Sequence, residues 1–147
     1  MADGTHVLVY DKAKYHDESV HEAGLPHRHA DHHLVYFLRW LIENDLVSDE
    51  MTKGAAGRAL KQYRSGRKSI FWLFSWWDRC LVSDMVSPAA RPFVDAYLDY
   101  EHGQYLDDYE SLLVGELPSF FHVEYTDAGY AVLAARITER RDLWLAS

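Results

Sequence analysis

Leu34, Phe37, Leu38, Leu41 and Ile42 recur at i, i+3, i+4, i+7 and i+8, the spacing that places apolar side chains on one face of an α-helix. A helix is predicted over about 32–46, with Asp31 as its N-cap and that stripe turned to the core. Met51, Ala55, Ala59, Leu60 and Tyr63 line one side of a second helix, which Ser48 caps and Gly66 stops. Ser69 then opens the run Ile70 to Trp77, read as a buried helix in which Trp72, Trp76 and Trp77 serve as core. Ser87 and Pro88 make an N-cap followed by Pro at the first helical position. That helix should reach about His102 and end at Gly103, with Pro92 near enough to its start to be tolerated or to kink it. A short helix is predicted over Asp107–Val114. Thr126 or Asp127 caps a last one to about Trp144, with Tyr130, Leu133, Ala134, Ile137 and Trp144 inward.

Two stretches alternate or branch at Cβ in the manner of strands, residues 5–10 and residues 120–125. The polar residues 11–30, with Gly24 and Pro26, read as loop. The prediction is a mainly α protein, residues 1–147 forming a single compact domain of about five or six helices with one or two short strands. A chain of 147 residues, 48% hydrophobic and 26% charged, is long and apolar enough to bury a core. Its one cysteine, Cys80, excludes a disulfide framework and a multi-cysteine zinc site, and its Trp-rich surroundings suit a small buried hydrophobe better than a nucleophile. No signal-peptide core and no run of about 18 apolar residues is seen, so a soluble cytoplasmic protein is expected.

Charge changes the picture. The formal net charge is -8, which argues against a nucleic-acid or anionic-membrane partner. Residues 53–91 are net basic, whereas residues 92–135 carry nine acids and neither Lys nor Arg. The basic segment either gives the surface a dipole or packs beside the acidic one within the fold. Nine aromatics are threaded through the acidic block. Phe93, Tyr97 and Tyr130 fit inner helix faces, while the others are free to make contact area. The expected partner surface is Asp95, Asp99, Tyr100, Glu101, Tyr105, Asp107, Asp108, Tyr109 and Glu110, facing a basic protein.

One motif points to chemistry instead. His27, His29, Asp31 and His32 spell H-x-H-x-D-H, which resembles the zinc-binding string of the metallo-β-lactamase superfamily. That superfamily reaches its string from a strand in a β-sandwich, and this chain reaches it from a polar loop. The alternative assignment, a metal-dependent hydrolase using these four residues, is therefore secondary to Asp31 acting as a cap. No nucleophile elbow, P-loop or dinucleotide glycine pattern occurs. The adjacent Asp107 and Asp108 point in different directions on a helix and make a poor acid–base dyad.

Several strings together resemble a small bacterial family of unknown function: Tyr10-Asp11-Lys12-Ala13-Lys14-Tyr15-His16; His33 with Phe37, Leu38 and Trp40; Phe93 to Tyr97; Tyr105 to Tyr109; Leu117 to Val123 with Tyr130; and Arg140, Arg141 and Trp144. Such proteins look like those found beside polymorphic toxins. The resemblance implies an immunity protein that binds and neutralises a cognate antibacterial toxin, occluding a basic active-site surface with the acidic, Tyr-rich block. It supplies no catalytic residue and no cofactor, and it does not extend to the His27–His32 string. A non-enzymatic binding protein is the expectation.

Overall fold

The computed structural model describes residues 7–147. Its axis is helix α2 (His32–Glu43), in which every residue from His32 to Ile42 except Arg39 is buried. The apolar stripe predicts one covered face, yet the helix is covered all round, as a helix apolar on all sides must be. Val35, Tyr36 and Trp40 fill the positions between the stripe residues, and their polar atoms are paired. The Tyr36 hydroxyl donates to the Glu124 carbonyl (2.8 Å) and accepts from the Thr126 N–H (3.0 Å); the Trp40 indole N–H donates to Thr138 Oγ1 (3.0 Å).

The other elements wrap this axis. Strand β1 (Val9–Lys12) leads through a 3-10 turn at Ala13–His16 into α1 (Asp17–Glu22), and a second 3-10 turn at His27–Ala30 delivers the chain to α2. Then come α3 (Asp49–Thr52), α4 (Gly54–Arg64), α5 (Ile70–Trp76), β2 (Cys80–Val82) and α6 (Arg91–Tyr97). Helix α7 (Tyr105–Tyr109) runs on into a π turn at Glu110–Val114, and α8 (Asp127–Ala146) closes the described fold against α2 and α7. The mainly helical class expected from sequence holds, with eight short or medium α-helices and one two-stranded sheet among the described residues. No helix is long and apolar enough to cross a membrane.

Several local expectations change. The predicted strand at 5–10 lies partly outside the described residues, and the described strand runs over Val9–Lys12. Its partner is β2, antiparallel; residues 120–125, expected as a strand, form a 3-10 turn at Phe120–His122 followed by chain outside any strand. The predicted loop over 11–30 contains α1 and two 3-10 turns. The predicted helix after Ser48 is two helices, broken at the extended Lys53 and restarted at Gly54, whose φ of 60° suits only glycine well. Ser48 does cap the first, accepting from the Met51 N–H. In the second, Ala56 is buried where Ala55 was expected.

Helix α5 buries Ile70, Leu73 and Phe74, whereas Trp76 is exposed and Trp72 and Trp77 are half-buried. Cys80 is likewise only partly covered. Helix α6 spans Arg91–Tyr97, far short of His102, because the chain turns tightly through residues 98–103, where the Gly103 N–H donates to the Asp99 carbonyl (2.6 Å). Trp144 is exposed rather than core.

Candidate functional site

The tight turn after α6 presents the acidic face. Asp99, Glu101, Asp107 and Glu110 are all exposed. Asp99 holds its own turn, accepting from the Glu101 N–H (2.9 Å) and the His102 N–H (3.3 Å), and its second oxygen meets His102 Nδ1 (3.3 Å). These bonds hold its carboxyl below the usual range. Asp107 and Glu110 lie three apart on α7 and its continuation, hence on one side of the helix, and line a shallow concavity with Ser111 and Gly115. Among the described residues, neither forms an ion pair.

Asp95 is half-buried: it accepts from the Tyr10 hydroxyl and pairs with Arg91 (3.3 Å). It stands between two hollows. One, of about 290 Å³, is lined by Leu8, Val9, Tyr10, Leu98, Asp99 and Tyr100 with Asp95. The other, of about 600 Å³, adds Glu50, Asp84, Ser48 and Pro88. The second recess brings acids from three distant segments together, which linear sequence does not reveal.

Three of the nine expected interface residues belong elsewhere. Tyr105, Asp108 and Tyr109 are buried at 1%, 2% and 1% exposure and cannot meet a partner. Tyr105 and Tyr109 pack in an aromatic cluster with Phe37, Tyr97, Tyr36 and Phe120. Asp108 accepts from the Tyr97 hydroxyl (2.7 Å), from Arg136 Nη1 (3.1 Å) and from Arg140 Nε and Nη2 (3.0 and 2.8 Å). Burial pushes its carboxyl up, but these donors outweigh burial and hold it below the ordinary range. Helical geometry explains the split: neighbouring residues on α7 diverge by about 100°, so Asp107 faces water while Asp108 faces α8.

Tyr100 sits at the border. The residue is 37% exposed, but its hydroxyl turns inward and donates to Asp11 Oδ2 (2.8 Å). The acidic turn is thus tied to a buried polar centre. The same Asp11 oxygen meets His16 Nε2 (2.7 Å) and His33 Nε2 (2.9 Å), while Oδ1 accepts from the Lys12 N–H (2.8 Å). Asp11 is inward because the β1–β2 register shifts between Val9 and Asp11. In an unbroken strand these two would share a face. Here Val9 is 46% exposed and Asp11 is 6% exposed. Burial pushes the Asp11 carboxyl up, and the two imidazoles overcome that to bring it far below the ordinary range. Burial lowers the His33 pKa against the opposing pull of Asp11, favouring the neutral ring.

The four H-x-H-x-D-H residues do not gather their ligand atoms at one point, although the His29 and His32 rings stand 4.3 Å apart. His27 is exposed and points toward Asp17 (3.7 Å). His29 Nδ1 meets the Phe121 carbonyl (2.7 Å), and its Nε2 lies 3.4 Å from Glu124. His32 Nδ1 meets the Val123 carbonyl (2.7 Å). Asp31 occupies the N-cap position of α2 without capping it; its Oδ1 accepts from Arg79 Nη2 (2.7 Å) and Nε (3.0 Å) instead. Among the described residues, the mixed His and carboxylate sets whose ligand atoms do converge are Asp11, His16, His33 and, on the surface, Asp99, Glu101, His102. The first set went unseen as a site in the sequence, although all three of its members stand in strings that carry the family resemblance.

Of the cations between residues 53 and 91, only Arg91 bridges to the acidic block among the described residues. Lys61, Arg64, Arg67 and Lys68 stay exposed along α4 and its exit. Apart from Arg91, the basic segment therefore forms no ion pair with the acidic block among the described residues.

Residues 9–123 match a domain of unknown function, DUF7832. No curated protein and no solved structure matches the chain.

Proposed function

Since the chain belongs to the DUF7832 family, a domain of unknown function, its role must be read from its own surface, and we propose that it is an immunity protein that binds and neutralises a cognate antibacterial toxin. The observation that carries this reading is the set of exposed acids Asp99, Glu101, Asp107 and Glu110, with no Lys or Arg between residues 92 and 135 to compensate them. The anchoring of the turn by Tyr100 supports it, since an ordered surface loses less conformational entropy on binding.

A toxin that handles nucleotides or nucleic acid lines its cleft with Lys and Arg, and an acidic, tightly held face is complementary to such a cleft. The recesses beside Asp95 offer places for basic side chains, walled by Leu8, Val9 and Pro88 and edged by Glu50 and Asp84. Long-range attraction would speed encounter, and the partly exposed Tyr100 ring would add apolar contact.

The experiment is co-expression with candidate antibacterial effectors, taken first from the genes that flank this chain's own. The wild-type chain should restore growth. A chain bearing E101K, D107K and E110K, three exposed acids that brace no turn, should fold normally and fail to protect. Protection by that variant equal to wild type would place the interface elsewhere, and failure of the wild type to protect would overturn the proposed function.

A further inference from the structure

Beneath the acidic turn, three ligand atoms of a kind that transition metals take lie within 4.8 Å of one another: Asp11 Oδ2, His16 Nε2 and His33 Nε2. We propose that these three atoms hold a divalent ion of the zinc class, with the Tyr100 hydroxyl orienting the carboxylate from outside the ligand set. Two imidazoles and one carboxylate are a donor set suited to such an ion.

The geometry gives each ligand a support. Asp11 is fixed through Oδ1 by the Lys12 N–H and through Oδ2 by Tyr100, the outer contacts that ligating carboxylates need. His33 is locked in α2 between Phe120 and Tyr109. His16 ends the 3-10 turn that follows β1 and keeps about a quarter of its side chain exposed, which leaves an approach from solvent. With bonds of about 2.0–2.1 Å, tetrahedral ligand atoms stand about 3.3 Å apart. The present separations of 2.7 and 2.9 Å from Asp11 Oδ2 would then widen by about half an ångström, the first by rotation of the partly exposed His16 and the second by a small turn of the Asp11 carboxylate.

Two further observations point the same way. Asp11 is buried, and among the described residues no Lys or Arg pairs with it, so its ion-pair partners there are imidazoles alone. A buried anion needs compensation, and a divalent cation supplies it. His33 Nδ1 is buried without a partner. While Nε2–H donates to Asp11, that atom is a bare lone pair beside aromatic rings. With Nε2 on a cation, Nδ1 would carry the proton, on a ring whose centroid lies 5.0 Å from that of Phe120. The ion would tie β1, the following turn and α2 together directly beneath Tyr100. The site is independent of the toxin-binding reading.

The test uses the full chain without an affinity tag, stripped with chelator and titrated with zinc and with cobalt. The wild type should take up about one equivalent, melt several degrees higher with zinc, and give the visible absorption of four-coordinate cobalt. H16A, at a partly exposed position, should fold and lose all three responses, while H27A should keep them. A wild type that neither binds nor gains stability overturns the site and leaves a hydrogen-bonded carboxylate. So does binding that survives H16A and disappears with H27A, which would assign the metal to the H-x-H-x-D-H string.

Discussion

Asp107 and Asp108 are neighbours in sequence with opposite fates, and replacing each by Asn separates them. Asp108 receives one tyrosine hydroxyl and three guanidinium N–H groups within 2.7–3.1 Å at 2% exposure. The buried bond from Tyr97 to an ionised acceptor contributes about 1.5–3 kcal/mol. Arg136 and Arg140 keep about a third of their side chains in water, so their ion pairs are discounted to about 0.5–1 kcal/mol each. Asn retains one acceptor and brings an amide that faces donors. D108N should therefore cost roughly 2–4 kcal/mol, a fall in melting temperature of about 5–15 °C for a chain of this size. D107N, exposed and unpaired, should stay within about 0.5 kcal/mol. Urea unfolding followed by Trp fluorescence reads both. Equal stabilities for the two variants would refute the placement of Asp108 in the core and with it the division of the acidic block into structural and surface acids.

The same carboxylate gives a pH signature. Its folded pKa is depressed, so its contribution is present above the ordinary carboxylate value of 3.8 and is lost as pH falls through the folded value. The gap in unfolding free energy between wild type and D108N should therefore narrow below about pH 4, and a gap that widens there would contradict the assignment. At Gly103, a Cβ would stand within 2.6 Å of the carbonyl oxygens of Ala96, Tyr97 and Asp99, so G103A should destabilise by about 1–3 kcal/mol and disorder the turn bearing Asp99 and Glu101. Amide exchange across residues 98–104 would show the loosening, and protection equal to wild type would contradict it.

The helical class and the main apolar stripes were legible in the sequence because period-3.6 patterns survive into the fold, as α2 and α8 show. The Ser48 cap and the stop at Gly66, which has a φ of 81°, were legible for the same reason, being local chemistry. Helix ends set by tertiary contact were not. The turn at residues 98–103 depends on Gly103 approaching the end of α6, and Pro88 and Pro92 gave no hint of so early a stop. The second strand was misplaced because β2 lies in a segment dominated by its aromatic neighbours. For the site, the outward acids 99, 101, 107 and 110 could be read, but the inward course of Asp108 needed α8. The Asp11 centre needed a register shift in a strand and side chains drawn from positions 11, 16, 33 and 100. The H-x-H-x-D-H string was conspicuous in sequence, yet folding gives its four members different partners.

The central claim is that the exposed remainder of the acidic block meets a basic partner. Its most direct test is the association rate of the chain with the purified toxin domain of an effector that it protects against, measured at low and at high salt for wild type and for E101K/D107K/E110K. Position 108 is left out of the set, since a change there reports on folding. Steered association exceeds unsteered rates by about 100-fold or more at low salt, so removing and reversing three charges should slow the on-rate at least about tenfold and flatten its salt dependence, with a smaller change in dissociation. On-rates that match wild type at both salt concentrations would contradict the account.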